Sequence, residues 1–540
     1  MKKFKAILAL VLVACLFVTL FAACAKNEET PNTNTNTNTN TNTNTENKDT
    51  NTDTNTGSED KEPAGDEGDA PAVDFEEDPT EIIVVLYDMR STGGDYGDEV
   101  EAAANEITKA AINVVCDYIW ISPGDWQSKC NVALSSGERF DVMNISPRTR
   151  ANALYPQGLL TPLDDLLQYA PEAFELTKEY IGAYTFDGKI YGFPTVRNYC
   201  KNAYILMRTD MLNEMGKLEE AKAIDSWSDF EAILAEVKAQ YTDNGGMYAF
   251  GMSYANSDFL FTNSDNFSDA IAMDTAGDPL NIITMYVEQD DSTIKNVQAS
   301  DYYKFAIDMN QRWWDAGYIW PDSGITTEFV DDAMKQGLFF AQICGSEHGV
   351  QVTKSGAIGT DLTVVQVSTG MIKTSQPSFT GICVPVTCEE PEAAMMFINE
   401  LYTNPDLMMT LIWGVEGRDY TIEAGEVVHA DKGYLSVDFL VGNNTLLTPL
   451  KGNGADFYEV VKATNAAAVK SAYLGFTFDT TDMDLLISQI TAVTDQYNKT
   501  VPYGAGADLD TYIAALETAG INDLIAAAQA QLDAWIAANK

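Results

Sequence analysis

Strand-like and helix-like segments alternate in the first third of the chain, and this order limits the folds that it can adopt. The segment 81–87 is almost wholly apolar, as is typical of a strand that is covered on both faces. Two more strands are predicted at 112–121 and 140–145, with helices near 98–110 and 124–135 between the strands. A βαβαβ order predicts an α/β fold, in which an open parallel sheet carries helices on its faces.

Polar side chains stand at the ends of these predicted strands. In an open parallel sheet, ligands bind beyond the carboxyl ends of the strands. Tyr87 and Asp88 stand at the end of the first strand, and Asn144 and Ser146 at the end of the third. We therefore predict that these four side chains contribute to a ligand site; ordinary solvated loop positions are the alternative.

Helical patterns follow in the rest of the chain. Apolar residues recur at helical spacing between Tyr302 and Tyr318, so Trp313 is predicted to lie in a core. Ser226 is predicted to cap the helix that follows it. The end of the chain, from Met483 on, is rich in alanine and reads as helical.

The chain begins with a positively charged segment and an apolar run that leads to a cysteine. The run from Ala6 to Leu20 is too short for a membrane span and is typical of a secretory signal. The stretch Leu-Phe-Ala-Ala-Cys, which ends at Cys24, resembles the lipobox of bacterial lipoproteins, although Phe21 replaces the usual branched aliphatic residue. The resemblance implies a signal peptide at 1–24 and a lipid on Cys24 that anchors the chain to the outer face of the cytoplasmic membrane. A secreted chain with an incidental cysteine is the alternative.

Residues 25–79 contain almost no apolar side chains and are rich in Asn, Thr, Pro, Gly and acidic residues. Such a segment cannot bury enough apolar surface to offset the entropy lost on ordering, so we predict a disordered tether. The folded part is then 80–540, which is long enough for two or three lobes. Residues 1–24 carry a charge of +3 and residues 25–79 carry −12, so about −38 of the net charge of −47 belongs to 80–540. This charge disfavours nucleic acid and anionic lipid headgroups as partners.

Six cysteines follow Cys24, and none of them forms a CxxC pair. An even number outside the cell permits disulfides, but a chain of this size does not need them. Because Cys116, Cys130 and Cys383 lie among apolar neighbours, buried free thiols are favoured and disulfides are the alternative.

Motifs for catalysis or metal binding are scarce. The chain has two histidines, His348 and His429, and lacks GxSxG, HExxH and phosphate-binding glycine loops. The acidic segment 479–484 lacks the glycine and the distal glutamate of a calcium loop. We therefore predict no enzyme activity, no cofactor and no metal. A glycoside hydrolase needs only two carboxylates, so it remains the alternative.

Several segments, in a fixed order after the lipobox, carry a family resemblance over about 80–420. They are Lys129–Gly137 with Phe140–Val142, Gly158–Asp164, Gly188–Pro194, Tyr204–Met211 and Asn404–Tyr420. Their order resembles the extracellular solute-binding proteins of ABC importers, family 1 of the sugar-binding type, and in particular their large Gram-positive lipoprotein branch.

The resemblance implies a two-lobed, periplasmic-binding-protein-like α/β fold of type II with a helical C-terminal part. It assigns lobe 1 to about 80–197 and 336–385, lobe 2 to about 200–330 and 388–540, and crossings between the lobes to 195–202, 329–338 and 384–390.

Further ligand-binding candidates come from the first crossing, from a strand end of the second lobe (Ser253 and Asn256), from the end of the strand before His348, and from a C-terminal loop. They are Arg197, Asn198, Tyr199, Ser253, Asn256, His348, Trp413 and Arg418. We rank Trp413 first because it leaves a helix into a Gly-flanked loop, where its ring could be exposed to a sugar; a core position is the alternative.

The function implied by the resemblance is that of a monomeric, lipid-anchored extracellular receptor. Such a receptor captures a small solute by hinge closure and presents it to the permease of an ABC importer. We predict a carbohydrate, in particular an oligosaccharide, as the solute. The alternatives are a cell-surface polysaccharide hydrolase and a receptor for peptides or other polar solutes.

Overall fold

The computed structural model describes residues 73–147, 149–252, 263–270, 273–278, 280, 284–326, 329–506 and 508–540. The predicted signal peptide, Cys24 and most of the predicted tether lie outside the described residues. So do Ser253 and Asn256, two of the ligand-binding candidates.

The strands range from eight-residue buried strands to two-residue pairs. In chain order they are β1 (Thr80–Tyr87), β2 (Val114–Ile121), β3 (Val142–Ile145), β4 (Thr185–Phe186), β5 (Lys189–Ile190), β6 (Phe193–Pro194), β7 (Asn202–Arg208), β8 (Tyr248–Phe250), β9 (Met285–Glu288), β10 (Asp291–Asn296), β11 (Phe339–Ser346), β12 (Leu362–Ser368), β13 (Met371–Ile372), β14 (Gly381–Cys383), β15 (Tyr420–Glu423), β16 (Glu426–His429) and β17 (Val469–Lys470).

The α-helices lie between and around these strands. In chain order they are α1 (Gly93–Ile112), α2 (Trp126–Ser136), α3 (Ala151–Leu154), α4 (Pro171–Thr177), α5 (Thr209–Met215), α6 (Leu218–Lys222), α7 (Trp227–Gln240), α8 (Asp301–Asp315), α9 (Val330–Lys335), α10 (Val350–Ile358), α11 (Pro391–Thr403), α12 (Pro405–Trp413), α13 (Phe457–Ala467), α14 (Asp484–Tyr497), α15 (Leu509–Ala519) and α16 (Ile521–Asn539).

Lobe 1 is built on a sheet with the strand order β2-β1-β3-β14-β6. β1 runs parallel to β2 from Thr80, beside Val114, to Tyr87, beside Ile121, and it is also parallel to β3. Because α1 and α2 connect these three strands, the βαβαβ order predicted from the sequence is confirmed. β14 pairs antiparallel with β3 and β6, and helices α11, α12 and α13 pack on the same core.

Lobe 2 is built on a second sheet with the strand order β12-β7-β11-β8. β7 pairs antiparallel with both β11 and β12. Trp313 is fully buried in the core of this lobe, as its helical spacing predicts. The hydroxyl of Ser226 accepts a hydrogen bond from the backbone N–H of Asp229 at 3.2 Å, so the predicted cap of α7 is also confirmed. Helices α15 and α16 complete this core.

The structure corrects the lobe boundaries drawn from the sequence. β11 lies within 336–385, which was assigned to lobe 1, but it pairs with β7 and β8 in the sheet of lobe 2. Residues 388–466 were assigned to lobe 2, but α11 and α12 bury their apolar faces in the core of lobe 1. The reason is physical: a short apolar run predicts a buried strand and does not specify which sheet it joins.

The chain crosses between the lobes three times in the described part. The first crossing joins β6 to β7 at 195–202, as predicted. The second joins β13 to β14, and the third lies around β17, after α13. The predicted crossings at 329–338 and 384–390 are therefore wrong, since each lies within a single lobe.

Hydrogen bonds and apolar contacts tie the three crossings together. Tyr199 and Ile372 form a small apolar cluster between the lobes. Oδ1 of Asn202 accepts a hydrogen bond from the backbone N–H of Gly370 at 2.7 Å. The backbone N–H of Ser471 donates to the carbonyl of Ile372 at 2.9 Å. We refer to this part of the molecule, where the three crossings meet, as the hinge.

Two glycines bring the lobes into contact beside the hinge. A β-carbon on Gly182 of lobe 1 would lie 2.8 Å from Cα of Gly475 in lobe 2. Carbon atoms at contact are about 3.5–4.0 Å apart, so any side chain here must push the lobes apart. We expect Gly182→Val to change the angle between the lobes. The measurement is the distance between spin labels at Val132 and Leu485, two exposed positions on α2 and α14.

The control for this prediction is Gly94→Ala, because a β-carbon on Gly94 meets no atom within 4 Å. The control should leave the distance distribution of wild type unchanged. A Gly182→Val protein with the wild-type distribution would show that this contact does not set the lobe angle.

The six cysteines of the described part are all free, and five of them are buried. Burial raises the pKa of the Cys116 and Cys130 thiols to about 12. The structure therefore has the free thiols that the sequence favours, and the disulfide alternative is wrong for these six cysteines. Among the described helices, none is both long enough and apolar enough to cross a bilayer.

Candidate functional site

The predicted candidates at the strand ends of lobe 1 are engaged within the fold. Tyr87 packs edge-to-face on Trp126, with 5.1 Å between ring centroids. The carboxylate of Asp88 accepts hydrogen bonds from the backbone N–H groups of Thr92 at 3.2 Å and Gly93 at 2.8 Å, at the start of α1. The side chain that stands free at this strand end is the next one, Met89, which is 47% exposed.

Asn144 and Ser146 are also buried. Oδ1 of Asn144 accepts from the N–H of Tyr87 at 3.0 Å, and its Nδ2 donates to the carbonyl of Leu440 at 3.1 Å. The backbone of Ser146 exchanges hydrogen bonds with Thr149. The structure therefore places these two residues inside lobe 1, where they connect β3 to its surroundings.

Arg197 lies at the first crossing and is only 3% exposed. Its guanidinium donates to the carbonyl of Asn198 at 3.0 Å and to the carbonyl of Gln376, on the second crossing, at 2.8 Å. The rings of Tyr199 and Phe379 lie 5.4 and 5.5 Å from its central carbon, within the range of cation–π attraction. Its Nε is buried without a hydrogen-bond partner in the described part.

Asn198 and Tyr199 follow Arg197 and both have hydrogen-bond partners. The phenol of Tyr199 donates to the carbonyl of Thr195 at 2.6 Å, and its ring packs on Tyr180. Oδ1 of Asn198 accepts from the N–H of Cys200 at 3.0 Å, and its side-chain amide acts as a hydrogen-bond donor to the carboxylate of Glu347. An unsatisfied buried donor is costly, so Nε of Arg197 requires an explanation.

Two carboxylates from opposite lobes face this crossing. Glu347 follows β11 in lobe 2, and Asp438 lies in the chain of lobe 1 that precedes α13. The phenol of Tyr458, on α13, donates to Oδ2 of Asp438 at 3.0 Å. Burial, and then the charge of Asp438, raise the pKa of Glu347 to about 7, although Lys201 and Arg197 act in the opposite direction. Burial also raises the pKa of Asp438.

We call Arg197, Asn198, Glu347, Asp438 and Tyr458 the crossing cluster. It combines a donor without a partner in the described part (Nε of Arg197), two acidic acceptors and contributions from both lobes and the hinge. Such a set can bind hydroxyl or amide groups of a polar solute. Its contacts with such a solute would depend on the position of both lobes.

The sequence indicates only part of this cluster. Arg197 and Asn198 were predicted from their place at the crossing. Glu347 was visible as the neighbour of His348 at a strand end, but its raised pKa depends on Asp438, which is distant in sequence. Asp438 and Tyr458 lie where no motif or strand end points to them.

His348 lies at the surface, where it joins the two lobes. Its ring stacks on Phe457 of α13 at 5.8 Å between centroids with an interplanar angle of 29°. A β-carbon on the next residue, Gly349, would lie 2.8 Å from the same Phe457 ring. His348 is thus part of a contact between the lobes.

The two candidates from the C-terminal loop lie in lobe 1. Trp413 is 3% exposed, and its Nε1 donates to the carbonyl of Thr448 at 3.1 Å, so the expected exposure of its ring is wrong. Arg418 pairs with the buried Asp419 and with Glu99 at 3.0 Å. The loop turns inward here because the Asp419 carboxylate accepts the backbone N–H of Val415, in the same loop, and that of Tyr434, beyond β16.

The pKa of Glu347 predicts how stability depends on pH. Since the folded pKa of about 7 exceeds the usual 4.5, the folded state binds more protons than the unfolded state between these values. The contribution of Glu347 to the free energy of unfolding is therefore full below pH 4.5 and is lost as the pH rises to about 7. Urea unfolding across this range should show the decline in wild type and a smaller decline in Glu347→Gln.

The control for this measurement is Glu219→Gln, because Glu219 is exposed and its ion-pair partner in the described part is Lys222, on the same helix α6. The control should retain the wild-type pH dependence. Parallel curves for wild type and Glu347→Gln would contradict the raised pKa.

Metal ligands do not cluster in the structure: the described residues contain no group of three or more His, Cys, Asp or Glu side chains placed to hold an ion. In the acidic segment considered for calcium, Oδ1 of Asp479 accepts hydrogen bonds from the backbone N–H and the hydroxyl of Thr481. This segment is a hydrogen-bonded turn.

Comparison with known proteins identifies the family. Residues 102–417 match the family model described as bacterial extracellular solute-binding protein, and residues 472–537 match a domain of unknown function (DUF3502). A carbohydrate ABC transporter substrate-binding protein of Streptococcus pneumoniae is 24% identical over 456 residues, which cover 82% of this chain and 85% of that protein.

Solved structures share the fold. The N-glycan transport solute-binding protein NgtS of S. pneumoniae matches with a TM-score of 0.73 at 21% identity, covering 85% of this chain and 100% of that one. The same protein in complex with Man5GlcNAc gives a TM-score of 0.64 at 20% identity, with 85% and 99% covered. A solute-binding protein of Bifidobacterium longum infantis that binds human milk oligosaccharides gives 0.62 at 16% identity, again with 85% and 99% covered.

The predicted two-lobed α/β fold is thus confirmed by the two sheets and by these relatives. The family model covers more than half of the chain. The chain belongs to the bacterial extracellular solute-binding proteins.

Proposed function

We propose that this protein is a receptor that captures an oligosaccharide between its two lobes and delivers it unchanged to the permease of an ABC importer. The observation that carries the proposal is Nε of Arg197, a buried donor without a partner among the described residues, beside the acceptors Glu347 and Asp438. Sugar hydroxyls both accept and donate hydrogen bonds, so they match such a mixed set.

We expect the lobes to close on the solute because the groups of the crossing cluster belong to different parts of the molecule. Glu347 belongs to lobe 2, Asp438 to lobe 1, and Arg197 to the crossing between them. A solute that contacts all three stabilises the lobe arrangement in which they converge. Closure then gives the permease a surface that differs from that of the empty receptor.

The relatives support a carbohydrate as the solute. The curated S. pneumoniae relative is named as a carbohydrate transporter component, NgtS was solved with Man5GlcNAc, and the B. longum infantis protein is named for its human milk oligosaccharides. We extend the same class of ligand to this chain.

Membrane attachment is the second part of the proposal. A lipid on Cys24, followed by the tether 25–79, would hold the receptor at the outer face of the membrane within reach of a permease. Cys24→Ala should release the protein from the membrane fraction into the medium. Retention of the variant in the membrane fraction would contradict the anchor.

A hydrolase is the second candidate, because Glu347 and Asp438 form a carboxylate pair with raised pKa values, as general acids in glycosidases do. The two carboxylates come from different lobes, so hinge motion would change their separation, and we favour binding over chemistry. Release of nitrophenol from nitrophenyl glycosides that is lost in Glu347→Gln would favour the hydrolase.

The deciding experiment is a thermal-shift screen of neutral oligosaccharides, acidic oligosaccharides, amino acids and short peptides. A ligand at one hundred times its dissociation constant adds about 2.7 kcal/mol to the free energy of unfolding, which gives a visible shift. A shift with one sugar class that is reduced in Asn198→Ala supports the proposal. A shift with peptides alone would replace the carbohydrate and keep the receptor, and a flat response throughout would overturn both.

A further inference from the structure

A groove of about 610 Å³ lies between the lobes, away from the crossing cluster. Lobe 1 contributes Asn152, Tyr155 and the hairpin of β4 and β5, and lobe 2 contributes the chain around Gly475 and the end of α16. No residue of the crossing cluster lines it. Its volume falls within the range of small-molecule sites, about 300–1,000 Å³.

Aromatic rings stand on both sides of this groove. On the side of lobe 1, Tyr155 and Phe186 stack at 4.8 Å between centroids with an angle of 12°. The phenol of Tyr155 donates to Oδ2 of Asp187 at 2.7 Å, which fixes the ring and raises its pKa to about 12. On the side of lobe 2, Trp535 packs edge-to-face on Phe476 at 6.2 Å. All three lining rings are partly exposed.

The charges of the groove disfavour an anionic ligand. Glu179, Asp187 and Asp479 line it, and no Lys or Arg does. The three carboxylates already have partners: Glu179 pairs with Lys470, Asp187 accepts the phenol of Tyr155, and Asp479 accepts from Thr481. Only the Lys470 partner of Glu179 is charged, so Asp187 and Asp479 keep their negative charge, and their remaining acceptor positions are open to the hydroxyl groups of a neutral ligand.

We propose that this groove is a second binding site, specific for a neutral saccharide that stacks on the aromatic rings. Aromatic faces pack against the apolar faces of sugar rings, and amides such as Asn152 bond the hydroxyls. The inference rests on the proposed function in that the protein meets carbohydrates outside the cell. Because both lobes line the groove, binding there is linked to binding at the crossing cluster through the lobe arrangement.

The test uses nuclear magnetic resonance of the indole N–H groups in ¹⁵N-tryptophan-labelled protein. The chain has eight tryptophans, so the spectrum is simple, and Trp535→Phe assigns the Trp535 signal. The titrants are mannotriose, maltotriose and lacto-N-tetraose. All titrations are made in an Arg197→Ala background, which weakens the crossing cluster and so separates groove binding from hinge closure.

We expect at least one of the three sugars to shift the Trp535 signal and to leave that of Trp314, a half-buried ring on α8 outside the groove, unchanged. Tyr155→Ala should weaken this binding about tenfold, since an aromatic contact of this kind contributes about 1.4 kcal/mol. Tyr155→Phe keeps the ring but loses the hydrogen bond to Asp187, so it should weaken binding less than Tyr155→Ala does.

Three results would overturn the inference. If sugars bind wild type but never move Trp535 in the Arg197→Ala background, the groove is not a saccharide site and the proposed function stands. If no sugar binds wild type at all, both fail. If choline or lysine moves Trp535 and no sugar does, the groove binds cations instead.

Discussion

Replacing Arg197 with alanine is expected to weaken solute binding about 100-fold. A hydrogen bond from a charged donor contributes about 1.5–3 kcal/mol, and about 2.7 kcal/mol corresponds to a hundredfold change in the dissociation constant. The substitution removes the unpartnered Nε and one of the cations that stabilise the charged forms of Glu347 and Asp438. Isothermal titration with the solute found by the thermal-shift screen measures the loss.

Two further variants define what Arg197 contributes. Arg197→Lys keeps the charge but loses the planar fork that reaches Gln376 and Asn198, so its affinity should lie between wild type and Arg197→Ala. Arg312→Ala removes an exposed arginine paired with Glu231 on the surface of lobe 2 and should bind as wild type does. Wild-type affinity in Arg197→Ala would remove the crossing cluster from the binding site.

Replacing Trp413 with alanine is expected to lower the free energy of unfolding by about 3–5 kcal/mol, the usual cost of deleting a buried tryptophan side chain. Its ring is 3% exposed in the core of lobe 1, and its Nε1 bonds the carbonyl of Thr448. The substitution leaves a cavity and a carbonyl without its donor. Urea unfolding followed by circular dichroism measures the change.

The same variant separates a core role from a ligand role. Protein that remains folded should bind the solute with wild-type affinity, because no side chain of the crossing cluster contacts Trp413 in the described hydrogen bonds and ring pairs. Trp413→Phe, which fills most of the space, should lose less stability. A loss of affinity with unchanged stability would restore Trp413 as a ligand-binding residue.

Trp313 and Trp413 show what sequence patterns can and cannot resolve. Trp313 repeats at helical spacing with other apolar residues, and this periodicity correctly predicted a buried position. Trp413 ends a helix before a glycine, and local sequence gave no sign that the following loop folds back over the ring. The hydrogen bonds that turn the loop inward involve Asp419, a single buried carboxylate.

The alternation in the first third of the chain predicted β1, β2 and β3 because continuous apolar runs report burial on both faces. The same reasoning could not predict that β11 joins the sheet of lobe 2, because strand pairing is decided by side chains that are distant in sequence. The site shows the same limit. Arg197 and Asn198 were predictable because they come just after a short family motif. Glu347 and Asp438 are distant in sequence, and only the folded molecule brings their carboxylates close enough to interact.

The three crossings also have a consequence for how the chain acquires its structure. Lobe 1 needs Leu435 beside Thr92, 343 residues apart, and lobe 2 needs Gln529 beside Ile294, 235 residues apart. Contacts of such separation close late and slowly in folding. Neither lobe is a contiguous segment, so a nascent chain that stops before α15 and α16 lacks part of the core of lobe 2. Residues 509–540 are therefore required to complete lobe 2, and truncation from the carboxyl end should be far more damaging than its distance from the crossing cluster suggests.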